Sequence, residues 1–186
     1  MSELFNPNYI NAFRTDVLIK LKGAGCVVLN ATGQSFARLK ANNPNIKYIK
    51  YWDGILENHP PIEDDPSIYS QVAFHPAAFC LPDSDTKFLV EHQNMVNRYS
   101  AELARKVESV RAIIAPAPVY ALIIFSYLFS TGINLLPNDL ISTTTRYGNN
   151  RIAVGQQSLK QGLRVVVWPP KNLGMGVKVA PVIVPA

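Results

Sequence analysis

The sequence predicts an α+β fold, with a mainly helical body followed by a β-rich C-terminal region. Near 8–22 and 86–114, apolar residues recur every three or four positions, the spacing of a buried helix face. After Pro137 the chain changes to short β-branched runs separated by turn residues, which is typical of strands. We expect residues 1–139 to form a mainly helical core with a Pro/acid-rich loop at 58–86. Residues 140–186 are expected to form a β-rich extension packed on the same domain or on a neighbouring subunit.

The composition is that of a folded domain. Hydrophobic residues make up 48% of the 186 residues and charged residues 17%, the reverse of the balance in disordered chains. A chain of this length is expected to form one domain. Its two cysteines, Cys26 and Cys80, lie in apolar runs and are expected to be buried thiols.

Three helical segments are predicted in the body. The first is near 8–22, where Asn8 can cap the helix and Phe13 and Val17 begin one apolar face. The second is near 86–114, where an apolar stripe steps by three or four residues. The third is the buried apolar segment 119–136, in which a helix is favoured over a strand because β-branched residues are few. Its uninterrupted apolar stretch is short for a membrane span, so no membrane contact is expected.

The C-terminal region predicts strands. The runs ISTTTRY and RIAV flank the turn residues Gly148, Asn149 and Asn150 and indicate a β-hairpin. LRVVVW and VKVAPVIV are further strands. Pro181 predicts that the last of them is an edge strand, because proline has no N–H to donate to a ladder.

Charges occur in blocks along the chain. From Arg14 to Lys50 there are seven basic residues and one acid, and from Tyr51 to Asp85 there are seven acids and no Lys or Arg. From Leu140 to the C-terminus there are six basic residues and no acid. Three interpretations stay open: solvated surface, pairing of opposite blocks between copies, and contact of the basic region with nucleic acid phosphates.

The candidate nucleic-acid-binding residues lie in the basic C-terminal region. Arg146, Tyr147 and Arg151 surround the hairpin turn, where guanidinium groups can contact phosphates and the tyrosine can stack on a base. Lys160 and Arg164 complete the set. The alternative is an ordinary exposed hairpin with charged flanks.

An acidic cluster in the middle block is the candidate inter-subunit contact. It comprises Asp53, Glu57, Glu63, Asp64 and Asp65. The cluster lacks the ligand spacing and turn glycine of a calcium loop, so no metal site is expected. No phosphate-binding glycine motif opens a helix, so no cofactor is expected either.

Catalytic motifs are absent from the sequence. Cys80 with His75 or His92 is the one conceivable nucleophile and base, but Phe79 and Leu81 predict a buried thiol of low reactivity. His92 lies on the apolar stripe and is interpreted as a core histidine. We therefore expect no enzyme active site.

The leading hypothesis is a structural, self-assembling protein, such as a coat, tail or connector subunit of a virion, built through complementary charge blocks and strand exchange. Its partners would be further copies of the chain or other structural subunits. The alternative is a nucleic-acid-binding module using the basic C-terminal region, and a second alternative is a Cys/His enzyme. The N-terminus has no signal-peptide pattern, so the expected location is a virion or the cytoplasm, without secretion through a signal peptide.

Overall fold

The computed structural model describes residues 12–42, 49–51, 67–158, 162–169 and 176–186. Within these residues the chain is α+β and combines four α-helices, one short 3-10 helix and nine strands. The helices are α1 (Thr15–Gly23), α2 (Phe36–Asn42), the 3-10 helix (Pro76–Ala78), α3 (Leu89–Lys106) and α4 (Ala117–Thr131).

The strands form two sheets. A four-stranded sheet has the order β1-β3-β9-β4, and a five-stranded sheet has the order β2-β7-β6-β5-β8. The strands are β1 (Val27–Asn30), β2 (Ile49–Tyr51), β3 (Gln71–Phe74), β4 (Val110–Ile113), β5 (Leu140–Tyr147), β6 (Asn150–Ser158), β7 (Gly162–Trp168), β8 (Val177–Lys178) and β9 (Val182–Pro185).

The predicted mainly helical body is wrong. Three strands, β1, β3 and β4, come from the part of the chain before residue 140 and build a sheet with the C-terminal β9. Strand β3 lies inside the expected loop 58–86, and β4 lies inside the expected helix 86–114. Helix α3 ends at Lys106, and Ser109 has a positive φ of 61° just before β4. The predicted helix extended to Ile114 because Val110 and Ile114 fit a helical spacing. Val110, Ala112 and Ile114 also alternate as strand residues do, so the spacing does not distinguish the two structures.

The other two helix predictions need smaller corrections. Residues 12–14 are not helical, and the first helix begins at Thr15, while Asn8 lies outside the described residues. The apolar segment 119–136 is a helix, as favoured, and it spans Ala117–Thr131. Its 15 residues rise about 22 Å, short of the roughly 30 Å of a bilayer core. Among the described residues, no helix is long and apolar enough to cross a membrane.

Helix α4 forms the centre of the main core. Residues of both sheets pack in the same apolar cluster as α4, including Val182 and Val184 of β9 and Ile141 of β5. The fully buried Tyr120 donates its hydroxyl to the Ala180 carbonyl at 2.5 Å. The core therefore joins residues from both halves of the chain.

Strand β9 is an interior strand, so the edge position predicted from Pro181 is wrong. It pairs with β3 on one side and with β4 on the other. Ile183 packs in a second cluster with Val17 and Leu21 of α1, on the sheet face opposite to α4. Pro181 directly precedes the strand, where a missing N–H removes no ladder bond.

The predicted β-hairpin is confirmed as β5 and β6. The strands pair antiparallel from Leu140↔Gly155 to Tyr147↔Asn150. Gly148 in the turn has a φ of 56°, a left-handed conformation that glycine adopts without strain. One face of this sheet packs on α4, and the other carries a smaller apolar cluster capped by Leu89 of α3.

Candidate functional site

The hairpin brings Arg146 and Arg151 directly opposite each other. They are cross-strand partners in the antiparallel register of β5 and β6. Arg151 is in turn the partner of Trp168 on β7. Partners in a sheet point to the same face, so both arginines lie on the face that carries Trp168.

A bulge in β5 sets this register. Between Ser142 and Arg146 the register shifts, so β5 has two more residues than β6 over the same span. The Thr143 hydroxyl donates to the Ile152 carbonyl at 2.7 Å and accepts from the Thr145 amide at 3.2 Å. These bonds replace ladder bonds that the bulge removes.

Backbone contacts tie the bulge to the start of α4. The Thr144 amide donates to the Ala115 carbonyl at 3.0 Å, and the Ala117 amide donates to the Thr145 hydroxyl at 2.9 Å. The Thr144 carbonyl then accepts from Nη1 of Arg151 at 2.6 Å. The arginine is thus held by a strand segment that is anchored in the core.

Two positive charges lie close together in the arginine pair. Arg146 is exposed and Arg151 is half-buried. Burial, and then the charge of Arg146, lower the pKa of Arg151 below its ordinary value. Within the described part of the chain, neither arginine forms an ion pair with a carboxylate. Like charges directly opposite in a sheet repel.

The pair opens into a cavity of about 220 Å³. Leu89, the first residue of α3, closes one side, and the hairpin turn closes another. We call this cavity the arginine cavity; its lining residues are Leu89, Arg146, Gly148, Asn149, Asn150 and Arg151.

Tyr147 does not lie beside the two arginines. Successive strand residues point to opposite faces, and Tyr147 packs against the main core cluster on the α4 side. The predicted combination of a guanidinium on phosphate and this tyrosine on a neighbouring base is therefore not formed on one face.

Arg164 lies in a different cavity. Its partner on β6 is Gly155, four positions from Arg151 and so about 13 Å along the sheet. Ala153 and Val166, which belong to one apolar cluster, form the cross-strand pair between the two positions. The second cavity, of about 320 Å³, is lined by Asp85, Asn138, Asp139, Leu140, Arg164, Gly176 and Lys178.

Opposite charges meet in this second cavity. Lys178 donates to the Asp139 carboxylate at 3.0 Å, and that bond raises the pKa of Lys178. With Asp85 also present, the cavity is not uniformly basic. The structure thus separates Arg164 from the arginine cavity in both distance and charge.

The remaining predicted binding residues are not covered by the structure. Lys160 and the acidic cluster Asp53, Glu57, Glu63, Asp64 and Asp65 lie outside the described residues. Within the described ranges, no three His, Cys, Asp or Glu side chains are grouped in a way that could hold a metal ion.

His92 is a core histidine, as interpreted from its place on the apolar stripe. It is fully buried, and its ring lies 5.6 Å from that of Trp168. Nε2 lies 2.7 Å from the Ser84 carbonyl and therefore carries the proton, so Nδ1 accepts from the Ser142 hydroxyl at 3.0 Å. Burial lowers the pKa of His92, which keeps the ring neutral.

Cys80 does not pair with a histidine among the described residues. Both ring nitrogens of His92 are occupied by serines, and Nδ1 of His75 is buried without a hydrogen-bond partner there. Burial raises the pKa of Cys80 to about 12, despite the opposing charge of Lys178. The thiol is therefore protonated at neutral pH, as its apolar neighbours predicted.

Two parts of the site were missed by sequence reasoning. Leu89 falls within the predicted helix 86–114 without any assigned role, yet it lines the arginine cavity from another element. The bulge at Thr143–Thr145 was also missed, although three consecutive threonines before an arginine are a signal: their hydroxyls can replace ladder bonds.

Comparison with protein-family models, with curated proteins and with solved structures gives no match to this chain. Inference of function therefore rests on the geometry of the arginine cavity and its surroundings.

Proposed function

We propose that the protein is a nucleic-acid-binding module that contacts phosphates through the arginine pair of the β5–β6 hairpin. The observation that carries the proposal is the opposition of Arg146 and Arg151 on one sheet face, with no carboxylate partner among the described residues. A phosphate bound between them relieves their mutual repulsion and gains charge-assisted hydrogen bonds.

The charge around the cavity supports the same proposal. The chain has a formal net charge of +5, and from Leu140 onward it contains six basic residues and no acid. Such a region attracts polyanions over long distances.

Fluorescence anisotropy with a labelled single-stranded oligonucleotide tests this function. A length of about 16 nucleotides covers the site of one single-strand-binding domain. We expect the affinity of the protein to fall as salt rises, because binding releases counterions. In the variant R146A/R151A, the slope of log K against log salt should decrease by about 1.4, since each lost phosphate contact removes about 0.7.

The matched control removes the same charge elsewhere. Arg105 and Arg111 are exposed and lie on α3 and β4. The variant R105A/R111A should retain most of the salt slope. Equal losses in the two double variants would show that only net charge matters, and absence of binding by the wild-type protein would refute the proposed function.

A second proposal retains the self-assembling function, with a virion coat, tail or connector subunit as its setting. Phe129 in the last turn of α4 and Ile133 just after the helix are 63% and 56% exposed. They lie in a segment without charge between Arg111 and Asp139. Exposed apolar side chains grouped in this way favour a protein contact. Exchange of β9 between copies would require that strand to leave its own sheet, where it is paired on both sides.

Light scattering across a wide range of protein concentration tests assembly. A self-assembling chain should give a mass well above 20.6 kDa, and the variant F129S/I133S should lower that mass. Ile19 is 68% exposed on α1, so I19S serves as the control for loss of an unrelated apolar side chain. A wild-type mass of one chain at every concentration would refute this second proposal.

A further inference from the structure

The arginine cavity offers hydrogen-bond donors but no aromatic surface. Its described lining contains the two arginines and residues of the hairpin turn, with Leu89 as its apolar member. The bases of a single strand stack mainly on exposed aromatic side chains. Trp168, which shares this sheet face, is only 1% exposed beneath Leu89 and His92, and Tyr147 packs on the opposite face.

The size of the cavity also favours a small anionic group. At about 220 Å³ it is below the roughly 300–1,000 Å³ of pockets that enclose drug-sized ligands. A phosphate group can enter such a space while the sugar and base that belong to it remain outside. The cavity therefore has room for an anionic group but not for a whole nucleotide.

Arg151 is oriented before a ligand arrives. One of its five N–H groups is used in the 2.6 Å bond to the Thr144 carbonyl, which leaves the others to donate. The Thr144 backbone is itself held by its amide bond to Ala115. The planar fork of a guanidinium fixed in this way matches two phosphate oxygens at once, which an ammonium group cannot do.

We infer that the hairpin recognises the phosphodiester backbone of a nucleic acid and does not read its bases. This inference rests on the proposed function and specifies its ligand. Binding is then independent of base sequence, and it requires the guanidinium geometry at position 151 in addition to positive charge.

The test compares oligonucleotides of one length with and without bases. The probes are a thymine homopolymer, an adenine homopolymer and an abasic sugar-phosphate chain. We expect their dissociation constants to agree within about threefold, because the backbone supplies the affinity. R151K, which keeps the charge but loses the fork, should weaken binding of all three by about tenfold. Y147F should bind as the wild type does.

The outcomes separate the inference from the function on which it rests. If the two base-containing probes bind and the abasic chain does not, backbone recognition is refuted while nucleic-acid binding stands. If no probe binds, the proposed function itself fails. If polyglutamate competes as strongly as the abasic chain at equal charge, the cavity binds carboxylates as well as phosphates. Both proposals are then refuted, and the cavity is a contact for an acidic protein segment. Equal affinities of R151K and the wild-type protein would refute the role of Arg151.

Discussion

Gly155 on β6 lies against the backbone of Asp139, the residue just before strand β5. A Cβ atom at this position would overlap the Asp139 carbonyl oxygen, which is backbone and cannot rotate away. We therefore expect Gly155→Ala to lower the free energy of unfolding by about 1–3 kcal/mol, the usual effect of added volume in a packed site. Denaturant unfolding followed by circular dichroism measures the change.

Gly23→Ala is the control for this substitution. A Cβ on Gly23 would meet nothing within 4 Å, and the residue ends helix α1. Alanine there should leave stability unchanged or raise it by up to about 1 kcal/mol, because alanine has the higher helix propensity. Equal destabilisation by both substitutions would contradict the close approach at Gly155.

The neutral state of His92 makes stability depend on pH. Burial holds the pKa of His92 in the folded protein below its usual value, so the unfolded chain binds a proton more readily. The contribution is fully present above the unfolded pKa of about 6.5 and decreases as the pH falls below it. Unfolding free energies measured between about pH 5 and pH 8 should therefore fall towards acid.

The variant His92→Gln isolates this effect. An amide does not titrate, so the part of the acid-side loss that belongs to position 92 should disappear even where the variant is less stable. Urea unfolding of both proteins at each pH gives the comparison. An unchanged pH slope in the variant would show that other groups cause the loss.

The β5 bulge is the element that orients Arg151. Thr143→Val keeps the shape of the side chain but removes its bonds to the Ile152 carbonyl and the Thr145 amide. Because these groups are buried, we expect a loss of about 1–3 kcal/mol in the free energy of unfolding. Oligonucleotide affinity should fall as well, since the carbonyl that holds Arg151 belongs to the next residue.

Thr144→Val provides the matched control for the bulge. Thr144 is exposed and contributes its backbone amide and carbonyl to the bonds described above. Its substitution should change stability by less than about 0.5 kcal/mol. If Thr143→Val leaves both stability and affinity intact, the hydroxyl bonds do not support the bulge.

Among the helices and strands, the sequence correctly predicted those that depend on contacts between residues close together in the chain. The hairpin follows from its turn residues and flanking β-branched runs, and α4 from an apolar segment with few β-branched residues. The end of α3 was missed because Val110 and Ile114 satisfy a helical and a strand spacing at once. Pairing of β4 with β9, which lies more than 60 residues away in the chain, decides between the two.

Strand β9 pairs with both β3 and β4 and so connects distant parts of the chain in one sheet. Ile183 is fully buried in β9, one of the two interior strands of the four-stranded sheet, while Ile133 is 56% exposed. We expect Ile183→Ala to lower the free energy of unfolding by about 2–5 kcal/mol, the range for large-to-small core substitutions. Ile133→Ala, the same chemical change on the surface, should cost less than about 0.5 kcal/mol. Denaturant midpoints that shift equally would contradict the central position of β9.

The candidate site was partly accessible from the sequence. Arg146 and Arg151 stand out because they flank a recognisable turn, and a hairpin makes such residues neighbours. The structure places neither Arg164 nor Tyr147 beside them, for two different reasons. Tyr147 follows Arg146 directly, so the alternation of a strand turns it to the other face. Arg164 shares the face, but its partner Gly155 lies four positions from Arg151 along β6, a separation that only the register of the sheet gives.

The sequence alone determined the hairpin, the buried helix α4, the protonated state of the Cys80 thiol and the buried position of His92. Each depends on a residue and its near neighbours in the chain. The tertiary structure decided the two-sheet architecture, the interior position of β9, the arginine cavity and its separation from Arg164. These features depend on which distant segments pair with each other. The pairing is decided by the burial of both faces of a sheet at once. That burial is a property of the assembled core, and no short window of sequence contains it.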